Sequence, residues 1–334
     1  MGLIPEGGQI HILMKAIRVD APGGPETMRL AEVPEPGPRE GEALVRIEAA
    51  GVNFIDVYYR TGAYPLSFPL VIGQEGAGVV VSTGPGVTEV AAGERVAFGG
   101  GSGAYAELAS VPAAKLVPIP DGVTTKQAAA VMVQGLTAHY LATSTFPVKP
   151  GDACLVHAAA GGVGLLLCQI AKLRGARVFG TVSTEEKAKL AREAGAETIL
   201  YTKEDFAAEV RRRTGGAGVQ VVYDGVGRDT FDMSLDSLAI RGTMVLFGQS
   251  SGAVPAVDPQ ILNKKGSLYL TRPTIAHYTR TREELRSRAA DVFGWIGAGK
   301  LRVSVFRELP LAEAAEAHRL LESRQTTGKL LLIP

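Results

Sequence analysis

The sequence predicts an α/β protein, a mostly β domain into which a doubly wound domain with a parallel sheet is inserted. Three observations predict it. Up to about residue 120, short β-prone runs are punctuated by glycine and proline. From Ala153 to Thr271, strand-like and helix-like segments alternate. The chain then closes on "KLLLIP", a strand-like run with no helix–strand partner of its own.

In the first region, "EALVRIEAAGV", "EGAGVVVSTG" and "GERVAFGGGSGAYAELA" are strands separated by turn residues, the texture of a compact β domain. The first strand is expected to open at Met14 with "MKAIRVD", which leaves residues 1–13 as an N-terminal extension. Lys126 to Thr143 is alanine-rich and helix-prone, and "PVKPGD" breaks the chain before the next strand. "ACLVHA", "RVFGTV", "ETILY", "VQVVYDGV", "GTMVLFG" and "GSLYLT" then supply six strands. Helices are expected at Gly162–Arg174, Glu185–Glu193, Glu204–Arg213 and Arg228–Ala239 between them. β-branched strands alternating with amphipathic helices build a parallel sheet covered on both faces. Beyond it, Thr281–Lys300 and Leu311–Ser323 read as helices, "LRVSVFREL" and "KLLLIP" as strands. A last strand returning to the first domain makes residues 14–137 and 277–334 one domain and 138–276 the inserted one, with a cleft between them.

Composition narrows the function. The 334 residues allow two domains, and 46% hydrophobic with 21% charged residues is the balance of a soluble globular protein. A net charge of +1 gives no field for nucleic acid or an anionic membrane. No apolar run approaches the ~20 residues that span a bilayer, and the start is a poor signal peptide. Cys154 and Cys168 cannot frame a disulfide scaffold and read as buried, inert thiols. The expected location is the cytoplasm.

The chemistry is carried by "HAAAGGVG". In G-x-G-x-x-G register it places Ala159, Gly161 and Gly164 between a strand and a helix, where Ala160, Gly162 and Val163 complete the turn. A glycine at 161 admits a pyrophosphate to the backbone, and one at 164 lets the helix pack on its strand. The helix N-terminus favours the anion. An acidic residue about 20 positions on would hold the ribose 2′-hydroxyl of NAD. Here the second strand ends "GTVSTEEKAK", with Thr181 and Ser183 at its tip and Lys187 one turn beyond. A hydroxyl and an ammonium suit a 2′-phosphate, which favours NADPH. Glu185 and Glu186 can turn towards a ribose or simply follow an N-cap at Ser183 or Thr184.

These stretches resemble the medium-chain dehydrogenase/reductase superfamily from Met14 onward, with a GroES-like β domain and an inserted Rossmann domain. Zinc alcohol dehydrogenases of that superfamily carry a cysteine after the "AAGV" strand and a histidine in Gly-His-Glu-Gly. Here Asn53 and Gln74 stand at those places, and Glu75 alone cannot hold a catalytic zinc. The expectation is a protein without metal, in which the histidines have no ligand-like spacing. "GVNFIDVYYRTGAYP", "HAAAGGVG", "VVYDGVGRDT", "FGQSSGAV", "KKGSLYLTRP" and "LESRQTTGKLLLIP" are similar to the zinc-free NADPH-dependent quinone oxidoreductases.

That resemblance implies roles. Asn53, Phe54, Ile55, Asp56 and Tyr58 line the nicotinamide, with Thr137 reaching the same region. Ser183, Lys187 and Tyr201 hold the adenosine phosphate end. Phe247, Gly248, Ser250, Leu270 and Arg272 flank the nicotinamide ribose, and Arg324 approaches the phosphates. Gln134 stands where some relatives carry lysine. Asn53, Tyr58 and Tyr64 are the catalytic candidates, donating hydrogen bonds to an oxyanion that develops on the acceptor. Each has a plain structural alternative: Tyr58 and Tyr64 as aromatics covering a strand edge, Tyr201 as a strand end, Arg272 and Arg324 as surface charges. Without a metal to polarise a carbonyl the acceptor must already be electrophilic, as a quinone is. A second reading is an enone or alkenal double-bond reductase. A third, of another class, is a non-enzymatic NADPH-binding structural or RNA-binding protein, against which the charge balance weighs. No Ser/His/Asp or paired-carboxylate arrangement is evident in the sequence. A homodimer is expected through the edge strand "GSLYLT".

Overall fold

The computed structural model describes residues 3–6, 9–101 and 103–334. The chain forms two compact units, one of Met1–Gln134, Thr279–Gly299 and Val305–Pro334, the other of Gly135–Tyr278 and Lys300–Ser304.

The first unit begins with strands β1 (Leu3–Glu6), β2 (Gln9–Val19), β3 (Met28–Pro34) and β4 (Glu42–Val52), then helix α1 (Phe54–Arg60). Strands β5 (Leu70–Val71), β6 (Glu75–Thr83), β7 (Arg95–Gly99), β8 (Leu108–Pro112) and β9 (Val117–Pro118) follow, with helix α2 (Thr125–Ala129). The second unit contains α3 (Gln134–Tyr140) after its first residue, then β10 (Ala153–Val156), α4 (Gly162–Leu173), β11 (Arg177–Val182), α5 (Glu185–Glu193) and β12 (Ala196–Leu200). It continues through α6 (Phe206–Arg213), β13 (Val219–Asp224), α7 (Phe231–Ser237), β14 (Leu238–Leu246), α8 (Gln260–Lys264), β15 (Tyr269–Thr271) and α9 (Ile275–Tyr278). The chain returns to the first unit with α10 (Arg282–Gly297), β16 (Val305–Pro310), α11 (Ala314–Glu322) and β17 (Lys329–Ile333).

In the second unit six parallel strands lie in the order β12-β11-β10-β13-β14-β15, the doubly wound arrangement. Its strands are apolar on both faces because helices cover both. Leu155, Phe179, Val222 and Met244 are buried with Phe206, Val210 and Leu235 from the helices. In the first unit the larger sheet runs β16-β17-β4-β6-β7-β9, with β8 also on β4. The terminal strand returns as expected, with Leu331 opposite Gly51 in an antiparallel pair. Leu330, Leu331 and Leu332 are all buried, each contributing ~1.5–3 kcal/mol. Helix α11 packs a stripe of Ala314, Ala317, His318 and Leu321, the i, i+3, i+4, i+7 spacing of one helical face.

Three expectations change. The strand expected to open at Met14 is β2 and opens at Gln9, because "QIHIL" continues the same extended pattern, and Leu13 already pairs with Pro34. The residues before it lie partly outside the described ones. The helix-prone run Lys126–Thr143 is broken between α2 and α3, where the Val133 N–H donates to Glu75 Oε1 at 2.6 Å instead of to a helical carbonyl. Only the second half of "LRVSVFREL" is a strand. Arg302 is held by α4: its N–H donates to Gln169 Oε1 at 2.8 Å, and its carbonyl accepts from Gln169 Nε2 at 3.1 Å.

Candidate active site

The glycine loop is built by four backbone bonds. His157 N–H donates to Tyr223 O at 3.1 Å and Ala159 N–H to Thr181 O at 3.1 Å, which tie the chain after β10 to its neighbours. Gly161 N–H closes on Ala158 O at 2.8 Å, and Leu165 N–H on Gly161 O at 2.9 Å begins α4. The left-handed residue of the turn is Ala158, with φ +49°. Ala159 therefore needs no glycine-like backbone. Its methyl is accommodated by Gly180 on β11, where a Cβ would stand 2.7 Å from it. A Cβ at Gly164 would lie 2.3 Å from Ala158 O and 2.8 Å from Ala159 Cα, so only glycine fits. Gly161 is less confined, its nearest contact being Ala158 O at 3.1 Å. Gly161 caps α4 with no side-chain hydrogen bond, and the first turn holds no acid. Its N–H groups and helix dipole thus fit a pyrophosphate.

Under the loop, His157 is buried between two hydroxyls, Nδ1 2.8 Å from Thr181 Oγ1 and Nε2 2.9 Å from Ser234 Oγ. Ser234 gives its only proton to Asp224 Oδ2 at 3.0 Å. It must then accept from Nε2–H, which leaves Nδ1 to accept from Thr181. Thr230 Oγ1 and the amides of Val226 and Gly227 also donate to Asp224, at 2.7, 2.8 and 3.0 Å. Burial pushes the His157 pKa down, with Asp224 pulling it back. Two expectations are corrected here. Thr181 is not an outward phosphate ligand, because its hydroxyl is spent inside on His157. A serine, a histidine and an aspartate do meet. They are all buried, and the aspartate holds the serine rather than the imidazole, so the arrangement braces the loop and offers no nucleophile.

Ser183, Lys187 and Tyr201 gather at the ends of β11 and β12. Tyr201 N–H donates to Val182 O at 3.2 Å, and Thr202 Oγ1 to Ser183 O at 3.1 Å. The N-cap of α5 is Thr184, whose hydroxyl accepts from Lys187 N–H at 3.3 Å, with Glu185 and Glu186 in the first turn. Lys187 is half-buried, and desolvation lowers its pKa. Past β14, Phe247 N–H and Gly248 N–H both reach Asp224 O, at 2.8 and 3.3 Å, and Ser250 N–H reaches Gly225 O at 3.2 Å. Leu270 and Arg272 are exposed on and beside β15. In the first unit Arg324 is exposed, at φ +60° just after α11. Thr137 and Gln134 are buried on α3.

The first unit carries a buried polar network around Asn53. Asn53 Nδ2 donates to Gly51 O at 3.2 Å and to Glu75 Oε2 at 2.8 Å, while Lys329 Nζ donates to Asn53 Oδ1 at 2.8 Å. Lys329 and Glu75 form an ion pair whose side chains are 1% and 0% exposed. Burial lowers the Lys329 pKa, and Glu75 draws it back. Asp56 accepts from Asn53 N–H at 2.9 Å, Gln74 N–H at 3.0 Å and Tyr105 Oη at 3.0 Å. Its pKa is nevertheless pushed up to about 7 by burial. Tyr105 Oη is 3.3 Å from His318 Nε2, and Arg60 donates to His318 Nδ1 at 3.0 Å and to Glu322 through two bonds of 3.1 and 2.8 Å. Burial and then Arg60 hold the His318 pKa at about 3.

Asn53 is therefore not a donor to an acceptor's oxyanion, since both amide hydrogens are engaged. Asp56 does not line an open surface either, being fully buried with both oxygens occupied. Sequence reasoning missed Lys329, Tyr105 and His318, which no local motif marks. Tyr58 and Tyr64, by contrast, are half-buried and adjacent, with ring centroids 5.2 Å apart and Tyr64 N–H on Tyr58 O at 3.0 Å. The residues do not fit a catalytic zinc. Two of its positions hold amides, Glu75 is engaged at both oxygens, and Cys154 and Cys168 are buried in the other unit. Among the described residues no group of three His, Cys, Asp or Glu side chains could hold a metal. No described helix is long and apolar enough to cross a membrane.

Residues 39–121 match the alcohol dehydrogenase GroES-like domain family, and residues 162–292 the zinc-binding dehydrogenase family. A quinone oxidoreductase of Pseudomonas aeruginosa is 48% identical over 96% of this chain and 100% of its own. A 2-haloacrylate reductase of a Burkholderia species is 43% identical over 96% and 99%. The crystal structure of Escherichia coli quinone oxidoreductase complexed with NADPH superposes with a TM-score of 0.94 at 46% identity, covering 96% of this chain and 100% of that one. By sequence and by fold, the chain belongs to the quinone oxidoreductase family of the medium-chain dehydrogenase/reductase superfamily.

Proposed function

We propose that this protein is a zinc-independent, NADPH-dependent quinone oxidoreductase. The observation that carries the reading is the 48% identity to a quinone oxidoreductase along the whole of that relative. Residues 138–276 are read as the dinucleotide-binding domain, residues 14–137 and 277–334 as the substrate-side domain. When bound, NADPH supplies the reducing equivalents. The chain's own task is to hold the cofactor, orient the acceptor and exclude water.

Gly161 and the first-turn amides of α4, with Ala160, Gly162 and Val163 beside them, take the pyrophosphate. Ser183 and Lys187 take the 2′-phosphate, and Tyr201 lies at the adenosine end. Phe247, Gly248, Ser250, Leu270 and Arg272 flank the nicotinamide ribose, and Arg324 approaches the phosphates. Phe54, Ile55, Tyr58 and Thr137 line the nicotinamide. Tyr58 and Tyr64 donate to the acceptor's oxygen as it gains electron density, while Asn53 and Asp56 hold the start of α1 in place. The protein acts as a cytoplasmic homodimer paired through β15. That strand is the edge of its sheet, and Tyr269 is 62% exposed on it.

The test is loss of 340 nm absorbance with NADPH or NADH against a quinone and an enone, on chelator-treated protein. NADPH oxidation that depends on the quinone and survives the chelator is the expected result. A second reading, reduction of an activated carbon–carbon double bond, is favoured by the 43% identity to a 2-haloacrylate reductase. Turnover with the enone alone would establish it.

A further inference from the structure

Asn53 has no hydrogen left to offer a substrate, whereas a second carboxamide in the same unit, that of Gln74, is uncommitted among the described residues. Gln74 is 8% exposed, and its side chain makes no hydrogen bond among the described residues. Among the described residues only Thr145 carries a side-chain polar atom both sealed from solvent and unpartnered. The amide of Gln74 therefore still opens onto solvent, while the rest of the side chain is packed away.

Its backbone is fixed on both sides. Gln74 N–H donates to Asp56 Oδ1 at 3.0 Å, and its carbonyl accepts from Gly100 N–H at 2.9 Å. The preceding residue, Gly73, has φ +110°, and a Cβ there would strike Tyr105 at 2.4 Å, so this bend has little freedom. The following residue, Glu75, holds Asn53, and Asp56 lies within α1, the helix that carries Tyr58. Gln74 is thus a rigidly mounted donor and acceptor, set against the shell that fixes α1, with its polar end unused.

We propose that Gln74 is an acceptor-recognising residue, whose carboxamide donates a hydrogen bond to a carbonyl oxygen of the quinone. The assignment rests on the quinone oxidoreductase reading. It distinguishes oxygen-bearing acceptors from apolar ones of the same shape, because only the former satisfy the amide.

The experiment uses the full chain with NADPH and a benzoquinone. Gln74→Met keeps the volume and removes the donor, and Gln74→Glu keeps the shape and puts negative charge where the oxygen must sit. Each is expected to lower kcat/KM for the quinone by about tenfold or more, with NADPH affinity, read by cofactor fluorescence, within about twofold of wild type. The two variants guard against one failing to fold. A folded variant with kcat/KM within about twofold of wild type overturns the assignment, as does an equal loss of NADPH affinity, which would mark Gln74 as structural. Wild-type protein that reduces no quinone overturns the functional reading and the assignment with it. Wild-type turnover with indifferent variants overturns the assignment alone.

Discussion

Lys329 and Glu75 face each other in the interior of the first unit, and Asn53 bridges them, accepting from the ammonium and donating to the carboxylate. The lysine opens the last strand, the glutamate opens β6, and the asparagine precedes α1. Three separate parts of the chain are locked by one cluster of charge.

Removing the cation alone should be severe. Lys329→Met leaves the buried Glu75 carboxyl without its cation, and should cost about 3–5 kcal/mol in urea unfolding. Lys329→Met with Glu75→Gln should recover part of that loss. A double variant no more stable than the single one would show that packing, not charge, is at stake.

The raised pKa of Asp56 has a defined sign. Its folded value of about 7 lies above the ordinary 3.8, so the folded state binds the extra proton between them. Its contribution to stability is complete below about pH 4 and is lost as pH rises through about 7. The excess stability of wild type over Asp56→Asn should accordingly shrink across that window and stay constant above it. His318 works in the opposite sense: its pKa is held at about 3 against an ordinary 6.5, so stability falls as pH drops from 6.5 towards 3. His318→Gln should flatten that acid limb, measured by unfolding at matched ionic strength.

The two loop glycines should behave differently. Gly164→Ala drives a methyl into backbone atoms and should cost about 1–3 kcal/mol of stability, together with NADPH affinity. Gly161→Ala meets only Ala158 O at 3.1 Å and should cost less stability. Calorimetric titration with NADPH should find its affinity loss out of proportion to its stability loss if, as proposed, the pyrophosphate lies against this glycine.

Ala159 and Gly180 should be coupled. Gly180→Ala sets two methyls 2.7 Å apart and should destabilise the second unit. Adding Ala159→Gly should restore about 0.5–3 kcal/mol in a double-mutant cycle. Additive effects would mean that the clash with Ala196, at 3.1 Å, dominates instead.

Lys187→Ala should narrow the preference for NADPH over NADH by about tenfold, since one charge-assisted bond to a phosphate is worth about 1.5–3 kcal/mol. The ratio of kcat/KM for the two cofactors reads it directly. An unchanged ratio would leave the 2′-phosphate to other residues.

The inserted sheet was legible because its strands are β-branched runs buried on both faces, and its glycine loop because spacing and context agree. The network around Asn53 was not, because Lys329 lies 276 residues away and nothing in "TGKLLLIP" marks its third residue as a buried cation. Thr181 was misplaced for a related reason. On a strand covered on both faces, alternation does not reveal which side chains turn inward, and its partner His157 comes from another strand end. Ala159 stands where the G-x-G-x-x-G register has its first glycine. The structure moves the left-handed residue back to Ala158 and supplies the missing room from Gly180, a compensation visible only across the sheet.

The grip of Gln169 on Arg302 has a practical side. It satisfies both amide atoms of Gln169 from a five-residue stretch that the chain reaches only after leaving the second unit. A gene fragment of residues 135–278 would deliver the second unit with Gln169 Oε1 stripped of its donor and Glu193 of its arginine. Anyone wishing to crystallise or graft that unit on its own should splice residues 300–304 back onto it, or replace Gln169 with a side chain content to face water.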